Sequence, residues 1–274
     1  MIDMFYNEIK SLIEKKFSPK VYRINSEFYG LYYGQVNNKK HIKRLMFTVD
    51  LNLESIHYAI RNKINLIISL HGLTKEPITN FNQLLINKLT LLSKYPLLVF
   101  ILNSSFIAAE GGISDTLMES LYLRLEKPFY IRNEIREAVP IGRICLPNSY
   151  AQVKEPLTIE SLLKRIKSNL DTNKILYVGE LNTEVNRICI IGRETVDIHY
   201  LRKALKNGCN CFISGNISHR IASYAKDSGL NLIGISLYNC NTIALKKLHN
   251  LLSLEFPNDD LYFFEAKNPI QAFK

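Results

Sequence analysis

The chain has 274 residues, of which 47% are hydrophobic and 22% charged. That composition belongs to a packed globular protein, large enough for one big core or two small ones, and excludes a disordered or low-complexity chain. The formal net charge of +10 permits attraction to nucleic acid or acidic ligands, although the basic residues are scattered in pairs and form no interleaved aromatic and basic recognition motif.

Ile2, Phe5, Ile9, Leu12 and Ile13 fall on one helical face, so the chain opens on an amphipathic helix. It lacks the basic-then-apolar design of a signal peptide, and no stretch is apolar for long enough to span a bilayer. The expectation is a soluble cytoplasmic chain with no membrane partner. Phe28 to Val36 and Arg44 to Asp50 read as strands, and the turn Asn37-Asn38-Lys39-Lys40 between them predicts a hairpin. Asn52 can cap a helix running to about Asn62. A strand ending near Ser69, a helix over Asn82 to Ser93 and a strand over Leu97 to Leu102 follow. Ser114 and Asp115 then open a helix with Leu117, Met118, Leu121 and Leu125 along one side.

Pro128 closes this half. Residues 128–155 read as a connector with short strands, and Thr158 caps the next helix between the staple pair Leu157 and Leu162. The second half resembles the first. Ile198-His199-Tyr200-Leu201 precedes the strand Asn210 to Ser214 as Ile56-His57-Tyr58-Ala59 precedes Asn65 to Ser69. Leu230 to Leu237 parallels Tyr95 to Leu102. Alternating β and α predicts an α/β fold. It would hold two similar lobes with largely parallel or mixed sheets facing an interlobe cleft: residues 1–127, the connector, and residues 156–274.

Five cysteines, Cys145, Cys189, Cys209, Cys211 and Cys240, show no zinc-finger spacing and read as buried thiols. There is no Gly-rich phosphate loop with Lys-Ser or Lys-Thr, no Gly-x-Gly-x-x-Gly fingerprint and no Gly-x-Ser-x-Gly elbow. Gly111-Gly112 could offer backbone donors to an anion or serve as a turn into a helix. The residue that points to chemistry is His71, placed just past the apolar run Asn65 to Leu70. In open α/β sheets, ligands bind beyond the carboxyl ends of strands. The second run ends the same way and delivers Gly215, Asn216 and His219. His57 and His199, early on helices, read as surface or packing residues.

In order along the chain, several motifs resemble the NIF-three-like family (NGG-one-interacting factor three), whose bacterial members are often labelled GTP cyclohydrolase 1 type 2. Val49-Asp50-Leu51-Asn52 resembles its Leu-Asp-Val-Thr segment. His71-Gly72-Leu73 with Pro77 resembles S-H-H-P-L-x-x-x-P. Ala108 to Asp115 resembles A-A-P-G-G-V-N-D, Ile141-Gly142-Arg143-Ile144 matches the connector, and Pro156-Leu157-Thr158 resembles Pro-Met-Thr. Ile213 to His219 resembles I-T-G-D-V-K-H, and Phe256-Pro257 fits the C-terminal segment.

The resemblance implies two facing α/β lobes, a toroidal homohexamer and two divalent metal ions between the lobes. The family's ligands are the paired histidines, an aspartate in H-T-N-L-D, and a His and Glu in G-H-Y-x-T-E. In this sequence the pair becomes Leu70 and His71, H-T-N-L-D becomes Asn103 to Ile107, and G-H-Y-x-T-E becomes Ser236 to Asn241. Leu70, Ile107, Leu237 and Asn241 therefore stand where four of five ligands belong, and Asn216 replaces an acidic residue. Aliphatic side chains have no lone pairs to donate. The expectation is a family member without the di-metal centre, with no cofactor, no metal ligand and no catalytic residue assigned. Its interlobe pocket would be lined by Asp50, His71, Asn103, Ser214, His219 and Asn241 and would take a small ligand or a protein. Two alternatives stand beside it: a metal-dependent hydrolase of a nucleotide or heterocycle, and a basic nucleic-acid-binding ring.

Overall fold

The computed structural model describes residues 4–17, 27–74, 78–148, 156–172, 175–193 and 196–270. The chain forms two compact units, Met1–Phe106 with Leu245–Gln271, and Ile107–Ala244 with Ala272–Lys274.

The first unit begins with α1 (Tyr6–Lys16), β1 (Gly30–Tyr33), β2 (Arg44–Thr48), α2 (Leu53–Arg61), β3 (Leu66–Ser69), α3 (Gln83–Ser93) and β4 (Leu98–Ile101). Its last strand, β11 (Asp260–Phe264), comes from the C-terminal end of the chain. The sheet order is β1-β4-β3-β2-β11. β11, β2, β3 and β4 run parallel and β1 is antiparallel. β3 and β4 are buried along their whole length, which is why they read as unbroken apolar runs and not as alternating ones. Asn52 and Ser55 form a reciprocal capping box at the start of α2, and Asn82 caps α3. The apolar face of α2, through Ile56 and Ala59, packs with Leu85 and Leu92 of α3 over Met46, Ile67 and Val99.

Two expectations change here. β1 and β2 do not form a hairpin, because β1 pairs with β4. The turn at Asn37 does form, with Lys40 N donating to Asn37 O at 3.0 Å, but parallel partners already occupy both edges of β2. The C-terminal residues also leave the second lobe, since β11 pairs with β2 from Asp260 against Arg44 to Phe264 against Thr48.

α4 (Asn103–Ala108) leads into the second unit, which holds α5 (Ile113–Ser120), β5 (Leu123–Arg132), β6 (Ala138–Pro147), α6 (Ile159–Asn169), β7 (Leu176–Val178) and β8 (Ile188–Ile191). Then come α7 (Ile198–Lys206), β9 (Cys211–Ser214), α8 (His219–Asp227), β10 (Asn231–Gly234) and α9 (Leu237–Glu255), whose residues from Leu245 onward belong to the first unit. The sheet order is β5-β6-β8-β9-β10-β7. β8, β9 and β10 are parallel, and β5, β6 and β7 join by antiparallel pairing. The expected connector is thus a long β5–β6 ribbon belonging to this sheet. The helix expected to reach Leu125 stops at Ser120, because Tyr122 turns to φ +54° and the chain enters β5. Thr158 caps α6 as expected, in a capping box with Ser161.

The two units repeat one another in detail. α1-β1-β2-α2-β3-α3-β4-α4 has the same order as α6-β7-β8-α7-β9-α8-β10-α9, and in each unit the antiparallel strand that starts the series pairs with the last one. Asn65 Oδ1 accepts from Lys43 N and Arg44 N, and Asn210 Oδ1 accepts from Asn186 N and Arg187 N. Arg44 donates to Asn62 O as Arg187 donates to Asn207 O. These side chains tie off backbone groups that the ladders leave unpaired at strand starts, a need the fold creates twice.

Candidate functional site

The strand ends of the first unit gather three of the expected residues. His71 N donates to Val49 O at 3.0 Å, next to Asp50, and Asn103 N donates to Leu70 O at 2.9 Å, next to His71. The side chains of Asp50 and His71 meet, with His71 Nδ1 2.7 Å from Asp50 Oδ1 and exposures of 43% for His71 and 53% for Asp50. A carboxylate at Nδ1 favours the tautomer with its proton there, which leaves Nε2 as the acceptor of the neutral ring. Asn103 takes φ +44°, which asparagine tolerates better than most residues, and its amide donates to Phe28 O.

Other groups border this end of the sheet. Tyr32 lies against Gly72, where an added Cβ would come within 3.3 Å of the ring, and Phe28 meets Tyr32 edge-on at 5.4 Å. Lys88 Nζ donates to Leu73 O at 3.5 Å. Partial burial pulls the Lys88 pKa down from its ordinary value, and the Asp50 charge offsets part of that shift. Lys88 escaped the sequence reading although it is the single charged residue in the apolar stretch of α3.

The other three expected residues lie in the second unit. Ser214 is buried and its hydroxyl donates to Asn216 O at 2.7 Å. Ser69 donates to His71 O at 2.8 Å in the same way, so this serine braces the turn that follows each central strand. His219 is exposed at the start of α8, which Ser218 caps. Asn241 is 2% exposed in α9. Leu237 packs on Gly215, where an added Cβ would lie 2.8 Å from Leu237 Cδ1. Leu70 is 1% exposed, and Ile107 is half-buried. Among the described residues, no three His, Cys, Asp or Glu side chains come together as a metal site requires. Pro77 lies outside the described residues.

The remaining motif residues are structural. Asp115 fills the donors of the glycine turn itself, accepting from Gly111 N at 2.8 Å. It also pairs with Arg143, which donates to both of its carboxylate oxygens and to the carbonyls of Ala108, Ala109, Pro140 and Gly142. Sequence reasoning found the Ala108 to Asp115 and Ile141 to Ile144 motifs but not that they clasp each other. All five cysteines are free and buried. Burial pushes the thiols of Cys145 and Cys240 up to about 12 and that of Cys209 to about 11, as for inert core thiols. His57 and His199 are exposed on α2 and α7, and no helix among the described residues is long and apolar enough to cross a membrane.

The family model described as Duf34/NIF3 (NGG1p interacting factor 3) matches residues 4–269. The chain belongs to this family. It is 25% identical over 273 residues to the GTP cyclohydrolase 1 type 2 homolog of Clostridium perfringens, covering 98% of this chain and 99% of that one. It is 24% identical over 249 residues to the homolog of the same name from Methanocaldococcus jannaschii, covering 89% and 94%. Among solved structures, it matches a Bacillus cereus protein related to NIF3 with TM-score 0.82 at 15% identity, over 100% of both chains. A Staphylococcus aureus hypothetical protein matches with TM-score 0.81 at 21% identity, over 99% of this chain and 100% of that one. These last two likenesses establish the NIF3 fold.

Proposed function

We propose that this NIF3-family protein binds a small polar ligand, or scaffolds a partner, at the Asp50–His71 site without a di-metal centre. The donor set carries the reading. His71 Nδ1 is engaged by Asp50 at 2.7 Å, and the other four positions that the family resemblance marks as ligands hold Leu70, Ile107, Leu237 and Asn241. Two adjacent divalent ions need anionic and imidazole ligands to offset their charge, and three aliphatic side chains and one amide supply neither. What remains is an imidazole acceptor at Nε2, an exposed carboxylate and a lysine nearby. This suits a ligand with an N–H or O–H donor and an anionic group. Metal analysis of the purified, dialysed protein tests it. The expected content is far below one ion per chain, and near-stoichiometric zinc, iron or manganese would sink the reading.

The second reading is a hydrolase of the kind that the relatives' names state, with a relocated metal. The Asp50–His71 pair favours it, since a carboxylate-oriented histidine is the usual partner of an activated water. Turnover of GTP or related heterocycles that appears only with added metal would favour this reading over the first. Self-association, up to a hexameric ring in the cytoplasm, is part of the proposal from the family resemblance. Light scattering of a monomer would refute it.

A further inference from the structure

α7 and α8 pack side by side in the second unit. Leu201 and Ala204 of α7 and Ile221 and Ala225 of α8 are buried. The outer positions are basic. His199, Arg202 and Lys206 line the exposed side of α7 at helical spacing, and His219, Arg220 and Lys226 are exposed on α8. The Arg202 guanidinium lies 5.6 Å from the centre of the Tyr224 ring, which joins the two stripes into one face.

Carboxylates do little to neutralise it. Asp197 is the cap of α7 and accepts from His199 N and Tyr200 N, and Asp227 closes α8. Among the described residues, Arg202, Lys206, Arg220 and Lys226 make no ion pair. Cations elsewhere do pair: Lys10 with Glu14, Arg44 with Asp260, Lys164 with Glu160, Arg187 with Glu126 and Lys246 with Glu265. The internal repeat supplies a control. α2 and α3 occupy the equivalent places in the first unit, yet beside one exposed histidine, His57, their charged residues are only Arg61, Lys88 and Glu54, and they expose Leu84 and Ile86. The fold therefore does not demand a basic face here.

We infer that the α7–α8 face binds the phosphate backbone of a nucleic-acid duplex, independently of base sequence. Four unpaired cations on an exposed helical face suit an array of phosphates. Two helices lying flat on a sheet reach the backbone and not the floor of a groove. This surface belongs to the second unit and the Asp50–His71 pair to the first, and the inference does not depend on the chemistry of that pair.

The test is fluorescence anisotropy of the full-length protein with a short labelled DNA duplex of mixed sequence. Four phosphate contacts give a salt slope of about −3.6, so affinity should fall about 100-fold between about 50 and 200 mM salt. Arg202→Glu with Lys206→Glu should weaken binding at least about tenfold. Lys15→Glu with Lys16→Glu, at exposed positions of α1, makes the same change in net charge and should leave affinity within about twofold. If the glutamate pair fails to fold, Arg202→Gln with Lys206→Gln should lower the slope by about two. Absence of binding at low salt, a salt-independent affinity, or equal losses in the α1 control would overturn the inference. So would displacement by polyglutamate as effective as by unlabelled duplex, which would assign the face to acidic proteins.

Discussion

Replacing Arg143 by methionine keeps most of the side chain's length and removes its charge and five donors. Arg143 is 3% exposed and Asp115 8%, so the change leaves a carboxylate buried without its cation. Breaking a buried pair from one side costs about 3–5 kcal/mol. The same substitution strips a donor from the carbonyls of Ala108, Ala109, Pro140 and Gly142, and a buried acceptor left unpaired costs roughly 1–3 kcal/mol. These costs overlap, since the backbone relaxes once, so the expected loss is at the upper end of the first range, about 5 kcal/mol. That is a large part of the roughly 5–15 kcal/mol that holds a typical domain together. Urea unfolding followed by circular dichroism measures it. The double variant Arg143→Met with Asp115→Leu removes the orphaned charge and should recover more than half of the loss, because apolar groups replace a buried pair at little cost. A single-variant loss under about 1 kcal/mol, or a double variant less stable than Arg143→Met alone, would refute this account of the clasp.

Burial holds the Cys145 and Cys240 thiols up to about 12 and Cys209 to about 11, from an ordinary value of 9.0. The unfolded thiols ionise first, so stability is intact below about pH 8.5 and falls by roughly 1.4 kcal/mol per pH unit per thiol as pH rises toward the folded values. A thiol reagent should find nothing in the native protein at neutral pH and five groups in urea; a native thiol reacting at the free-thiol rate contradicts this. Asn65→Ala and Asn210→Ala should each destabilise by about 1–2 kcal/mol, and losses in thermal unfolding that differ by more than about that amount would break the equivalence of the repeats. His71→Ala should change stability by less than about 1 kcal/mol, because the pair is half exposed to solvent; a loss above about 2 kcal/mol would make the pair a structural brace.

The α/β alternation was legible because buried parallel strands write themselves as apolar runs, and β3, β4, β9 and β10 are each buried throughout. Caps at Asn52 and Thr158 were legible because they act over three residues. Pairing was not. Neither β1 against β4 nor β11 against β2 leaves a local signal, since the partners are far apart in sequence and share no turn. The Asp50–His71 contact follows from each residue's place at the end of a neighbouring strand, which the apolar runs do reveal. The Arg143–Asp115 clasp was hidden because two motifs 28 residues apart say nothing of their distance in space.

The repeat separates what the fold needs from what it merely carries. Asn65 and Asn210, Arg44 and Arg187, and Ser69 and Ser214 do the same work in both units. Their twofold presence is explained by backbone groups that must be satisfied wherever this strand order occurs. The side chains just beyond the strands are different. The residue whose carbonyl Ser69 braces is His71, and the residue in that place in the second unit is Asn216. Beyond β2 stands Asp50, while beyond β8 stands Arg193, whose carbonyl accepts from Gly215 N. Equivalent helices diverge too, with α7 and α8 basic where α2 and α3 are not. Packing constrains both copies alike, so it cannot explain differences confined to exposed strand ends and outer helix faces. Those differences support the two proposals made above, a ligand at the Asp50–His71 pair and a phosphate backbone on the α7–α8 face.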